Sequence, residues 1–217
     1  PTFKSFNSLK LLQAKNTMGL EYLGVGDPVI DDIDTNKFSF SSFLLRGLNE
    51  EFITFLKDLP ELPNTSNEIN RIGENFKKKK ILLREEASEL NIAYKDNSSR
   101  FIVFATHALM PHELGDKSLP GLVLTIPDTV NENIDGLLTT SEIINTNFTS
   151  DLIILSACNT AAGDIENVNS LSGLTKSFFF SGAKNIIASH WSVETYSAEK
   201  TTISLFKKSD ESYSARL

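Results

Sequence analysis

Two short stretches, Phe101-Ile-Val-Phe-Ala-Thr-His107 and Asp151-Leu-Ile-Ile-Leu-Ser-Ala-Cys158, decide how this chain folds. In each, an apolar run leads straight to a chemically useful side chain, and Cys158 is the only cysteine. Runs that are apolar at every position are expected where a strand lies in a sheet covered on both faces. Outward from them, strand and helix patterns alternate. Leu20–Val25 reads as a strand closed by a Gly26-Asp27-Pro28 turn, Ile81–Leu83 as a short strand, and Gly121–Ile126 and Asn185–Ser189 as two more.

Helices are expected between these strands. Asn49–Asp58 forms one. Residues 59–64 form a loop, and a helix from Glu68 to Lys78, capped by Ser66 or Asn67, carries Ile69, Ile72 and Phe76 on one stripe. Glu85–Leu90 is helical. Thr139 and Glu142 have capping-box spacing and start a helix through Ile143 and Ile144. Leu171–Ser181 buries Leu174 and Phe178 and stops at Gly182, and Thr195–Lys208 is the last helix. Strands separated by helices pair in parallel. The expectation is one domain over residues 1–217, a three-layer α/β/α sandwich with a mostly parallel sheet. The start at Pro1 and the end at Leu217 read as cuts in a longer protein.

Composition bounds the function. The 217 residues are 40% hydrophobic and 23% charged, enough for a sizeable core. A net charge of −7 argues against a nucleic-acid partner, which would need a basic face. Lys77–Lys80 is a short solvated cluster. A single cysteine rules out an internal disulfide and fits a reducing, cytoplasmic setting. No stretch approaches the roughly 20 apolar residues of a membrane span. No Cys/His group has zinc spacing, and Gly24 and Gly26 lack the third glycine of a dinucleotide fingerprint. Neither a metal nor a cofactor is expected.

In a parallel sheet the working residues sit just beyond the carboxyl ends of the strands. His107 and Cys158 both fall there. An imidazole can take the proton of a thiol and activate it as a nucleophile. Acyl transfer also needs donors for the oxyanion, and the backbone N–H groups of Ala108 and Cys158 are the candidates. Small residues at Ser156, Ala157 and Ala161 would let a peptide approach closely. Taken singly, each has a plain structural reading: a lone Cys is often a buried small hydrophobe, and a lone strand-end His a hydrogen-bonded support. His112 and His190 read as incidental or structural. Nothing resembles the Gly-x-Ser-x-Gly elbow of a small-molecule hydrolase.

The combination of Phe104-Ala-Thr-His107, Asp135-Gly-Leu-Leu138 with Glu142-Ile143, Leu155-Ser-Ala-Cys-Asn-Thr-Ala-Ala-Gly163, Ser181-Gly-Ala183 and Ser189-His-Trp-Ser-Val193 resembles the CHAT family. Leu23-Gly-Val-Gly-Asp-Pro28 matches the family's early strand and turn, so the resemblance spans about residues 20–207. His107 and Cys158 lie 51 positions apart, close to the spacing of about 50 seen in caspases. The resemblance implies a caspase-hemoglobinase fold and a cysteine peptidase related in architecture to separase. His107 would be the general base and Cys158 the nucleophile, acting through a thioester acyl-enzyme.

Further roles follow from the same resemblance. Glu194 is a candidate floor for a pocket that takes a basic P1 side chain, and Asp164 is a second, since a carboxylate pairs well with Arg or Lys. Trp191 and Asn159, in the matching segments, are further substrate-binding candidates. The implied partners are a protein or peptide substrate and a regulatory partner or attached domain such as tetratricopeptide repeats. Two positions depart from the family pattern: Ala108 stands where Gly is usual after the His, and Thr195 where Asp is common. If the backbone there needs a positive φ, Ala would cost stability. The family's terminal aromatic strand and its front repeat domain are not seen. The alternative is a caspase-like interaction or scaffold module that kept the fold without the chemistry.

Overall fold

The computed structural model describes residues 19–30, 56, 58–109, 120–126, 134–156, 165–188 and 195–206. In chain order its elements are β1 (Leu20–Gly26), α1 (Pro63–Gly73), β2 (Lys79–Leu83), a 3-10 turn (Arg84–Glu86), α2 (Glu89–Ile92), β3 (Ser99–Ala105), β4 (Ala108–Leu109) and β5 (Gly121–Val123). There follow β6 (Leu137–Thr139), α3 (Thr140–Ile144), β7 (Leu152–Ser156), α4 (Ile165–Phe180), β8 (Ile186–Ala188) and α5 (Thr195–Phe206).

Five strands form a parallel sheet in the order β2-β1-β3-β7-β8. Side chains alternate across it, and the two faces bury different partners. On one face Leu23, Val25, Ile102, Phe104, Ile153 and Leu155 pack against Ile92 of α2, Ile143 of α3, and Leu174 and Phe178 of α4. On the other, Tyr22, Val103, Ala105 and Ile154 pack against Ile69 and Ile72 of α1 and Ile203 of α5. This double cover is the α/β/α sandwich expected from the apolar runs. The first face is tied by Phe104, Phe148 and Phe178, whose ring centroids lie 5.3–5.8 Å apart.

Several elements differ from the sequence expectation. The helix expected from Glu68 begins at Pro63 and ends at Gly73. Proline has its φ preset for a helical first turn, so Pro63 starts the helix and Ser66 and Asn67 fall inside it. Phe76 lies beyond the helix and still stacks on Tyr22 at 5.2 Å. In place of a helix over Glu85–Leu90 there are the 3-10 turn and the one-turn helix α2, separated by Ala87 and Ser88. The helix read from Leu171 starts at Ile165; the Asn- and Ser-containing stretch before Leu171 has low helix propensity, which hides the true start in the sequence. The helix expected over Asn49–Asp58 lies, but for Leu56 and Asp58, outside the described residues.

The Gly121–Ile126 segment departs most from the parallel scheme. Its first three residues form β5, which joins β4 and β6 in a separate antiparallel sheet of order β4-β5-β6. At three residues or fewer, β4 and β6 are too short to read as strands from sequence. Thr139 and Glu142 form the expected capping box: the Thr139 hydroxyl accepts from the Glu142 N–H at 3.4 Å, and the carboxylate accepts from the Thr139 N–H at 2.8 Å. Gly182 ends α4 with φ 113°, where an added Cβ would meet the Thr149 backbone at 3.0 Å. Among the described residues, no helix is long and apolar enough to cross a membrane.

Candidate active site

The site is built at the carboxyl ends of β3 and β7. These neighbours pair in parallel from Phe101↔Leu152 to Ala105↔Ser156, with a constant offset of 51 positions. Beyond Ala105 the chain leaves the sheet through Thr106 and His107. Both are fixed to β5: the Thr106 hydroxyl donates to the Val123 carbonyl, and the Val123 N–H donates to the His107 carbonyl at 2.8 Å.

The His107 side chain is buried, and its Nε2 lies 2.8 Å from the Pro60 carbonyl oxygen. A carbonyl can only accept, so Nε2 carries the proton and the neutral ring presents its lone pair at Nδ1. Burial lowers the imidazole pKa below its ordinary 6.5, and the Pro60 carbonyl opposes this in part. The ring is therefore a neutral base at pH 7, with one nitrogen committed to orientation and the other available for a proton.

Ala108 is buried in β4, and its methyl packs into the core with Leu122 and Leu138. Among the described residues only Asp27, Arg84 and Tyr94 combine a side chain with positive φ, so Ala108 carries none of the strain anticipated for it. The strand geometry needs no glycine there. Because 107 and 123 form the hydrogen-bonded pair of this ladder, alternation turns the Ala108 N–H away from β5.

Ser156, expected as a small residue that leaves room for a peptide, makes a contact between layers. Its side chain is buried, and the hydroxyl donates to Glu68 Oε1 of α1 at 2.8 Å. Sequence reasoning missed both Pro60 and Glu68. Pro60 acts through a backbone carbonyl, which every residue has. Glu68 did carry a signal: a carboxylate beside Ile69 and three positions from Thr65, on the stripe that faces the sheet. Cys158, Asn159, Asp164, Trp191 and Glu194 lie outside the described residues.

A second polar cluster lies between α2 and the turn before β6. Glu89 is buried at the start of α2, and its Oε2 accepts from the N–H groups of Asp135 (2.6 Å) and Gly136 (2.5 Å). Burial, reinforced by the Asp135 and Glu142 carboxylates, pushes the Glu89 carboxyl up to about 9. Gly136 has φ 87°, and an added Cβ would meet Ile126 Cγ1 at 2.6 Å, so this turn requires glycine. The cluster holds the Asp135-Gly136 turn that leads into β6. Among the described residues, no group of three His, Cys, Asp or Glu side chains is placed to hold a metal ion.

Comparison with known protein families returns one described as CHAT domain, whose model matches residues 6–209. No curated protein matches the chain.

Proposed function

Given that the chain belongs to the CHAT domain family, with its caspase-like fold, we propose that it is a cysteine endopeptidase working through a His107–Cys158 dyad. The observation that carries this reading is the register of β3 and β7. Their offset of 51 is also the separation of His107 and Cys158. Two further steps along both strands would bring the thiol opposite the imidazole. Strand alternation would put it on the face that bears Val103, Ala105 and Ile154.

In the proposed reaction Nδ1 of His107 takes the thiol proton as sulfur attacks the peptide carbonyl. The N–H groups of Ala108 and Cys158 hold the oxyanion. The imidazolium then gives its proton to the leaving amine, and a thioester remains on Cys158. Water, deprotonated by His107, hydrolyses the thioester and restores the thiol. The Pro60 carbonyl keeps the imidazole in the tautomer this needs. Glu194, or else Asp164, would select an Arg or Lys at P1, with Trp191 and Asn159 beside the substrate. A protein or peptide is the substrate, and an attached or partner domain such as tetratricopeptide repeats gates access.

The test is a peptide library varied at P1, incubated with the full chain and with Cys158→Ala. Cleavage that disappears in the variant, with unfolding unchanged, supports the reading. Cleavage that survives it, or none by a folded protein in the presence of its gating partner, rejects it in favour of a binding module.

A further inference from the structure

We propose that Glu68 is a positioning residue for Cys158, acting through Ser156; the inference rests on the dyad reading. Ser156 is the last residue of β7 and the last to pair with β3. On the other side, β7 pairs with β8 from Ile153↔Ile186 to Leu155↔Ala188. The ladder with β3 therefore stops two residues short of the nucleophile in sequence. A bond between layers holds the strand end at that point, from the Ser156 hydroxyl to Glu68 of α1 at 2.8 Å, with both residues buried.

The same chain segment reaches the base. Pro60, just ahead of α1, accepts from His107 Nε2, and Glu68, on the second turn of α1, accepts from Ser156. Residues 60–68 thus brace both strand ends from one face of the sheet. Burying a carboxylate is costly, and an apolar residue would sit more cheaply beside Ile69 and Ile72. Tyr22 sits close by; its hydroxyl donates to the Ile69 carbonyl, and burial together with the Glu68 carboxylate raises its pKa. A displacement of about 1 Å in a reacting group can cost as much as 100-fold in rate. A hydrogen bond that locates the strand end is therefore expected to show in kcat more than in KM.

The experiment follows iodoacetamide alkylation of Cys158 against pH by intact mass, together with kcat and KM on a cleaved peptide. It compares the full wild-type chain with Glu68→Leu, Glu68→Gln, Ser156→Ala and His107→Ala. Glu68→Leu and Ser156→Ala are expected to slow alkylation near neutral pH and to lower kcat by roughly 10–100-fold, with KM little changed. Glu68→Gln keeps an acceptor and should retain most of the wild-type rate. The double variant should be no worse than the poorer single one, because both remove the same bond. Ser156→Ala serves if Glu68→Leu does not fold. A thiol whose reactivity depends on His107 but is indifferent to Ser156→Ala and to a folded Glu68→Leu overturns this inference alone. A thiol indifferent to His107→Ala overturns the dyad reading and this inference with it.

Discussion

Ala105 and Ser156 face each other as the last register pair of β3 and β7, and each stands two residues ahead of a candidate catalytic side chain. This pair links the fold to the chemistry. Parallel strands share an orientation, so residues at equal distances past a register pair leave the sheet at the same end. Separation along the chain then has a meaning it lacks in the sequence alone, because 51 positions is one step across the sheet.

The acid limb of cleavage should report on His107. Burial depresses its pKa, so the neutral base form persists below pH 6.5. The profile of kcat/KM against pH is expected to hold its plateau to below 6.5. His107→Gln should cost about 10²–10⁴-fold in the plateau rate. An acid limb above 6.5 would mean that another group sets it.

Glu89 should make stability fall as pH rises. Its folded pKa is raised from 4.5 to about 9, so its contribution is fully present below about 4.5 and is lost progressively towards 9. Glu89→Gln mimics the protonated acid and removes that dependence. In urea unfolding, the variant's advantage over wild type is expected to widen by more than about 1 kcal/mol between pH 5 and pH 8. A constant difference at the two pH values would contradict the assignment.

Phe178 should dominate the packing of α4 on the sheet. Its ring lies 5.5 Å from that of Phe104 and 5.3 Å from that of Phe148, with no exposed surface. Phe178→Ala is expected to cost about 3–5 kcal/mol in chemical denaturation. A cost below about 1 kcal/mol would show that the trio is not a core anchor.

If Glu194 forms the floor of the P1 pocket, Glu194→Gln should lower kcat/KM for Arg and Lys substrates by about 10–100-fold and leave other P1 residues unchanged. Asp164→Asn should leave the preference intact. The reverse pattern in a P1-varied library would exchange their roles.

The sheet was legible in the sequence because covered parallel strands are apolar at every position, as Phe101–Phe104 and Leu152–Leu155 are. The capping box at Thr139 and the glycine stop at Gly182 were legible because each is set by local chemistry. The start of α1 was missed because Ser66 and Asn67 resemble caps while Pro63 is the residue that starts the helix. That error put Glu68 at a helix end instead of on the buried stripe. The small antiparallel sheet was illegible because two- and three-residue strands carry no periodicity. Of the site, His107 could be read as a side chain with chemistry, but its Pro60 partner could not, because a backbone carbonyl leaves no mark in a sequence.

The central claim is that His107 activates Cys158, and it is tested most directly by covalent labelling. The protein is treated at neutral pH with a peptidyl acyloxymethyl ketone bearing Arg at P1, and the rate at Cys158 is compared between wild type and His107→Ala. The account predicts labelling confined to Cys158 and slowed by about 10²–10⁴-fold in the variant. Equal rates in the two proteins, with both folded, would contradict it.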